Sequence, residues 1–136
     1  MDAVDGRLCA SFQEAVELLG KRWSGAIITV LRSGPLRYTQ LALAVPGLSE
    51  RLLSERLKEL ELAGVLVRRV LPGPPVGVEY ELNEAGRDLA GPLDAIAAWA
   101  RRWVESGHVG APVRKVRERL APLTPRQMRG GGEVRA

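Results

Sequence analysis

The chain has 136 residues, of which 46% are apolar and 26% charged, and a formal net charge of +4. That is the profile of one globular domain with a tail, long enough to bury roughly two-thirds of its unfolded surface without disulfides or a structural metal. A single cysteine excludes an internal disulfide framework, and a single histidine argues against a Cys/His zinc site. The sequence has no apolar run of about 18 residues and no basic, apolar leader, so a soluble cytoplasmic protein is expected.

The positive charge is not spread evenly. Beyond Ser106 stand seven basic and two acidic residues, so the tail carries +5 and the rest of the chain −1. Any argument for nucleic-acid binding by the body must rest on where its charges sit.

The first periodic segment is Ser11–Leu19. Ser11 and Glu14 fit a capping box, Phe12, Ala15, Val16 and Leu19 form an apolar stripe, and Gly20 ends the segment. A second helix is expected from about Arg22 to Leu31, with Trp23, Ala26, Ile27, Val30 and Leu31 as its apolar residues. Ser33-Gly34-Pro35 breaks the chain. Leu36-Arg37-Tyr38 is long enough only for a bridge-like strand.

Thr39 is a suitable N-cap for a short third helix, Gln40–Val45, which Pro46-Gly47 terminates. Ser49 caps a fourth helix, Glu50–Leu62, and Gly64 stops it. Val65–Leu71 is then rich in β-branched residues. Val78–Leu82 alternates apolar and acidic residues, and a Pro/Gly loop joins the two stretches into a β-hairpin. Asn83 caps a long final helix, about Glu84–Glu105, in which Gly91-Pro92 predicts a kink.

This order reads as a mainly α fold with a small β-hairpin, a winged helix-turn-helix with a long C-terminal dimerisation helix. Only Pro46-Gly47-Leu48 separates the third and fourth helices, as a positioning and a recognition helix require. At about 100° per residue, Leu53, Leu57 and Leu60 share one face of the fourth helix. Arg51, Ser54, Glu55 and Lys58 share the opposite face, where polar side chains could meet base edges. Arg51 lies in the first turn and could fork onto a guanine, and Glu55 could accept from a cytosine amino group. Ser49, at the helix start, belongs to the same candidate surface. Against this, the helix is net negative (Ser49–Glu61 holds three basic and four acidic residues), as a merely solvated face would be. Around it, Lys21, Arg22 and Arg37 add positive charge near helix starts, and Thr39 and Gln40 open the third helix, whose N–H groups could meet a phosphate. Arg68 and Arg69 lie on the strand leading to the wing. Alternation points one of these in and one out, or sends both to an exposed edge.

The segments LLGKRWSGAII, GPLRYTQL, PGLSERLLSERLKELELAGVLVRRV, PPVGVEYELNEAGRDL and PLDAIAAWA occur in this order behind a cysteine. In this series the chain, over about Cys9–Trp103, resembles the HxlR-type transcriptional regulators, winged-helix proteins of MarR-like architecture. The resemblance implies a dimeric, sequence-specific DNA-binding regulator, often a repressor. On this reading residues 1–106 form the DNA-binding and dimerisation domain, and 107–136 a flexible basic tail. The tail is either solvated or follows the DNA backbone.

Leu89, Leu93, Ile96, Ala100 and Trp103 are spaced as a heptad-like seam. The seam either packs on its own domain or, joined by Phe12, forms a homodimer interface. A two-fold dimer predicts a pseudo-palindromic operator. Cys9 lies just ahead of the first predicted helix, where the helix dipole favours a thiolate. The resemblance implies that some relatives sense oxidants or electrophiles through this position. A plain apolar filler is the other reading.

The expected partners are therefore double-stranded DNA and a second copy of the chain, with a small-molecule or oxidant effector and no membrane. No cofactor or metal is expected. A winged-helix protein-interaction module without DNA binding is the alternative. An enzyme is not supported: there is no glycine-rich phosphate loop, nucleophile elbow or metal-spaced ligand set, and His108 has no partner evident in the sequence.

Overall fold

The computed structural model describes residues 6–109. The expected tail thus lies outside the described residues from 110 onward. The elements run α1 (Gly6–Gly20), α2 (Ser24–Leu31), β1 (Leu36–Arg37), α3 (Tyr38–Ala44), α4 (Glu50–Leu62), β2 (Leu66–Leu71), β3 (Gly77–Leu82), α5 (Glu84–Asp88) and α6 (Ala90–Trp103). The chain divides into two compact units within α6, one ending at Leu93 and the other starting at Asp94.

The first helix starts earlier than its cap signal suggests. Ser11 and Glu14 lie inside α1, so they form no capping box. Arg7, Leu8, Cys9 and Ala10 hold no helix breaker, and the helix runs through them. Cys9 is consequently the fourth residue of α1 rather than a residue ahead of it. Phe12 is 65% exposed and takes no part in the core.

The second helix starts later than predicted. Trp23 adopts a left-handed conformation, φ 76°, and caps α2 as a buried side chain. That backbone is uncommon for a bulky residue and needs surrounding structure to hold it. Ile27, Ile28 and Leu31 are buried, while Ala26 is exposed. The core adds Leu41 from α3 and Val45 at its C-cap, Leu53, Leu57 and Leu60 from α4, and Leu66, Tyr80 and Leu82 from the sheet.

The hairpin is one part of a three-stranded antiparallel sheet in the order β1-β3-β2. Leu36 pairs with Tyr80 and Arg37 with Glu79, so the bridge-like strand docks on the wing. On the other side of β3, Leu66 pairs with Leu82, Arg68 with Tyr80 and Arg69 with Glu79. Directly opposed residues share a sheet face. Arg68 is therefore on the core side with Tyr80 and Leu82, and Arg69 is on the outer side with Glu79.

Asn83 caps α5 as expected, its side chain accepting from the Gly86 N–H at 2.9 Å. Its amide donates to the Gly64 carbonyl at 2.6 Å, and its backbone N–H to the Val65 carbonyl at 3.2 Å. A Cβ on Gly86 would stand 2.0 Å from the same Val65 oxygen. Only glycine lets α5 approach the α4–β2 connection this closely.

The predicted kink takes the form of a break at Leu89, between α5 and α6. Pro92 explains its position. The proline ring clashes with the carbonyl four residues back, that of Asp88, so the helix restarts at Ala90. Pro92 then sits in the first turn of α6, where a missing N–H costs little. In the second unit His108 does have partners. Its ring meets that of Trp103 edge-on at 5.4 Å, and Nδ1 lies 3.0 Å from Ser106 Oγ.

Candidate nucleic-acid interface

The turn between α3 and α4 needs Gly47, whose φ is +88°. Ser49 then caps α4 by accepting from the Leu52 N–H at 3.2 Å. Ser49 thus sets the helix start and spends its hydroxyl oxygen there. Leu53, Leu57 and Leu60 are each 1% exposed or less, which fixes the inner face of the helix. Arg51, Ser54, Glu55 and Lys58 are all exposed on the other side.

Arg51 keeps 90% of its side chain in solvent and pairs with Glu55 at 3.4 Å. An exposed pair one helical turn apart contributes at most about 0.5 kcal/mol, so either side chain can leave the other for a ligand.

Arg56 and Glu59 on α4 do different work. Arg56 Nε donates to the Arg22 carbonyl at 2.8 Å, and its Nη1 lies 3.1 Å from Glu59. Glu59 also meets Lys21 at 3.2 Å. These bonds tie the flank of α4 to the turn before α2. Lys21, counted from sequence as spare positive charge, is committed to that tie.

The start of α3 differs from expectation. The helix begins at Tyr38, and its N-cap is Arg37 rather than Thr39. The Arg37 N–H donates to Gln40 Oε1 at 2.8 Å, so that oxygen serves the cap. Thr39 stays exposed. Arg37 reaches over the wing, and a Cβ on Gly77 would lie 3.5 Å from its Nη1.

Two clefts join these elements. One, of about 570 Å³, is lined by Arg37, Tyr38, Thr39, Ser54 and the wing residues Pro75 to Val78. The other, of about 350 Å³, is lined by Ser54, Lys58, Glu61, Arg68 and Tyr80. Arg37, Thr39, Ser54, Lys58 and Arg68 therefore converge beside the outer face of α4. Arg69 does not. It faces away and pairs with Glu81 and, at 3.9 Å, with Glu79. Ser54 is common to both clefts, and its hydroxyl is held by Tyr38, a residue that sequence patterning did not single out.

Among the described residues no group of His, Cys, Asp or Glu side chains could hold a metal, and no helix is long and apolar enough to cross a membrane.

The arrangement has close counterparts. A family model described as HxlR-like helix-turn-helix matches residues 18–108. YvaP of Bacillus subtilis, an uncharacterised HTH-type transcriptional regulator, is 46% identical over 98 residues, 72% of this chain and 91% of that protein. The HTH-type transcriptional regulator YodB of B. subtilis is 43% identical over 100 residues, 74% of this chain and 89% of that protein. The reduced form of YodB superposes with a TM-score of 0.64 at 40% identity, covering 76% of this chain and 98% of YodB. YodB with quinone bound superposes with a TM-score of 0.61, at 40% identity over 68% of this chain and 96% of YodB. The chain accordingly belongs to the HxlR-like helix-turn-helix family, whose matched relatives are transcriptional regulators rather than enzymes, and is a DNA-binding transcriptional regulator.

Proposed function

We propose that this regulator binds a pseudo-palindromic operator in double-stranded DNA as a homodimer and represses the adjoining genes. The observation that carries the reading is the two-sided build of α4. Its leucines are buried, and Arg51, Ser54, Glu55 and Lys58 stand clear beside Arg37 and Arg68. Side chains on that face read bases, and the wing and α3 arginines meet phosphates. Arg69, neutralised by two glutamates, contributes little. Repression is the mode implied by the family resemblance. The dimer accounts for apolar side chains left in solvent, Phe12 and Val16 on α1 and Ile96 and Trp99 on α6. Two recognition helices would then sit one DNA turn apart, roughly 34 Å.

A mobility-shift titration against promoter DNA tests this. Log affinity should fall steeply with log salt as phosphates are neutralised. A flat response would favour a winged-helix protein-interaction module instead. Arg51→Ala should cost about 1–3 kcal/mol of operator binding and relax preference at one base pair. Arg68→Ala should weaken all sequences alike and reduce the salt slope. Equal, sequence-independent losses in both variants would remove Arg51 from base reading.

Cys9 is the proposed point of effector action, because a relative takes up quinone and this chain holds one thiol. Exposure to a quinone should lower operator affinity in the wild type and leave Cys9→Ser unaffected. The same loss in both proteins would place the effect elsewhere.

A further inference from the structure

The hydroxyl of Tyr38 stands between two oxygens, the Glu50 carbonyl at 3.0 Å and Ser54 Oγ at 3.1 Å. A phenol carries one proton, and a carbonyl oxygen can only accept. The Tyr38 proton therefore goes to Glu50. The Tyr38–Ser54 bond can then form only if Ser54 donates its own proton to the phenol oxygen. Ser54 is left with its single proton spent and its lone pairs available. It is also exposed, and it lines both clefts beside the outer face of α4.

Resting on the DNA-binding reading above, we infer that Tyr38 makes Ser54 an obligate hydrogen-bond acceptor, so that the base facing Ser54 is selected for an amino donor, adenine N6 or cytosine N4. A free serine rotates its proton to suit donor or acceptor and discriminates poorly. With its proton fixed, lone pairs would face guanine O6 and N7 or thymine O4, and both bases are disfavoured. The outer face of α4 then presents a donor, Arg51, beside two acceptors, Ser54 and Glu55. Tyr38 is a positioning residue for recognition. It acts through Ser54 and touches no base.

Sequencing DNA selected from a random pool by the full chain tests this. Four proteins are compared: wild type, Tyr38→Phe, Ser54→Ala and the double variant. The wild type should show one base position favouring adenine or cytosine about fivefold, the worth of one net hydrogen bond. It should neighbour the position that Arg51 reads. Tyr38→Phe keeps the ring and should flatten that position alone. Ser54→Ala, at an exposed site, should flatten the same position, and adding Tyr38→Phe to it should change nothing further. A purely structural role for Tyr38 would instead weaken every position and persist without Ser54. An unchanged preference in Tyr38→Phe overturns the assignment of Tyr38. A guanine or thymine preference lost in Ser54→Ala overturns the acceptor role, even if Tyr38→Phe fails to fold. A wild type that selects no sequence overturns the DNA-binding reading itself, and this inference with it.

Discussion

Replacing Leu57 with alanine is expected to lower folding stability by about 2–5 kcal/mol. Leu57 is fully buried, midway along the inner face of α4 between Leu53 and Leu60. Truncation removes its transfer free energy and leaves a cavity that the neighbouring leucines fill only in part. A domain of this size has a total stability of about 5–15 kcal/mol, so the loss is a large share of the whole. Thermal unfolding should show it as a drop of roughly 10–30 °C in Tm. Arg51→Ala, six residues earlier and almost fully exposed, should change stability by no more than about 0.5 kcal/mol. The two variants therefore separate the anchor of α4 from its proposed reading surface. A Leu57→Ala protein with unchanged Tm would mean that the leucine face does not hold α4 to the core.

What the sequence disclosed, and what it did not, divides along the range of the interactions. The bounds of α4, with Ser49 before it and Gly64 after it, were legible because a cap, a stripe and a stop act within a few residues. The Asn83 cap and the two wing strands were legible for the same reason. Local signals also misled. Ser11 and Glu14 have the spacing of a capping box, yet nothing upstream stops the helix, so α1 runs back to Gly6. Thr39 is the better capping residue in isolation. The pairing of Leu36 and Arg37 with β3 nevertheless sets the start of α3 at Tyr38. The bonds that settle which side chains remain available were not legible at all. Arg56 reaches a carbonyl 34 positions away, and Tyr38 reaches Ser54 across 16. No periodicity records such pairs. The exposed face of α4 could thus be named from sequence, whereas the use of Ser49 and Gln40 in caps, of Lys21 in a brace and of Arg69 in wing ion pairs could not.

The proposed dimer makes the other large prediction. No residue of α6 is buried in the single chain, although the helix carries Leu93, Ile96, Trp99, Ala100 and Trp103. Ile96 is 54% and Trp99 51% exposed, and they stand three residues apart on one face of the helix. The seam read from sequence includes Ile96 and not Trp99, which a strict 4-3 spacing passes over. In a two-fold dimer each protomer contributes one Ile96, so Ile96→Glu removes two apolar side chains from the interface and places two carboxylates there. Because only about half of each Ile96 is left for the interface to cover, the lost burial alone amounts to about 1.5–3 kcal/mol per dimer, which raises the dissociation constant roughly ten- to a hundredfold. Sedimentation velocity at micromolar concentration should show a dimeric wild type and a monomeric variant. Because Ile96 is half in solvent in the protomer, the variant should keep its secondary structure, and its binding to non-operator DNA should fall far less than its binding to the operator. Two half-sites can be held together only by a dimer, so a variant that stays dimeric, or a wild type that sediments as a monomer, would detach α6 from the operator geometry and leave its exposed apolar face to another role.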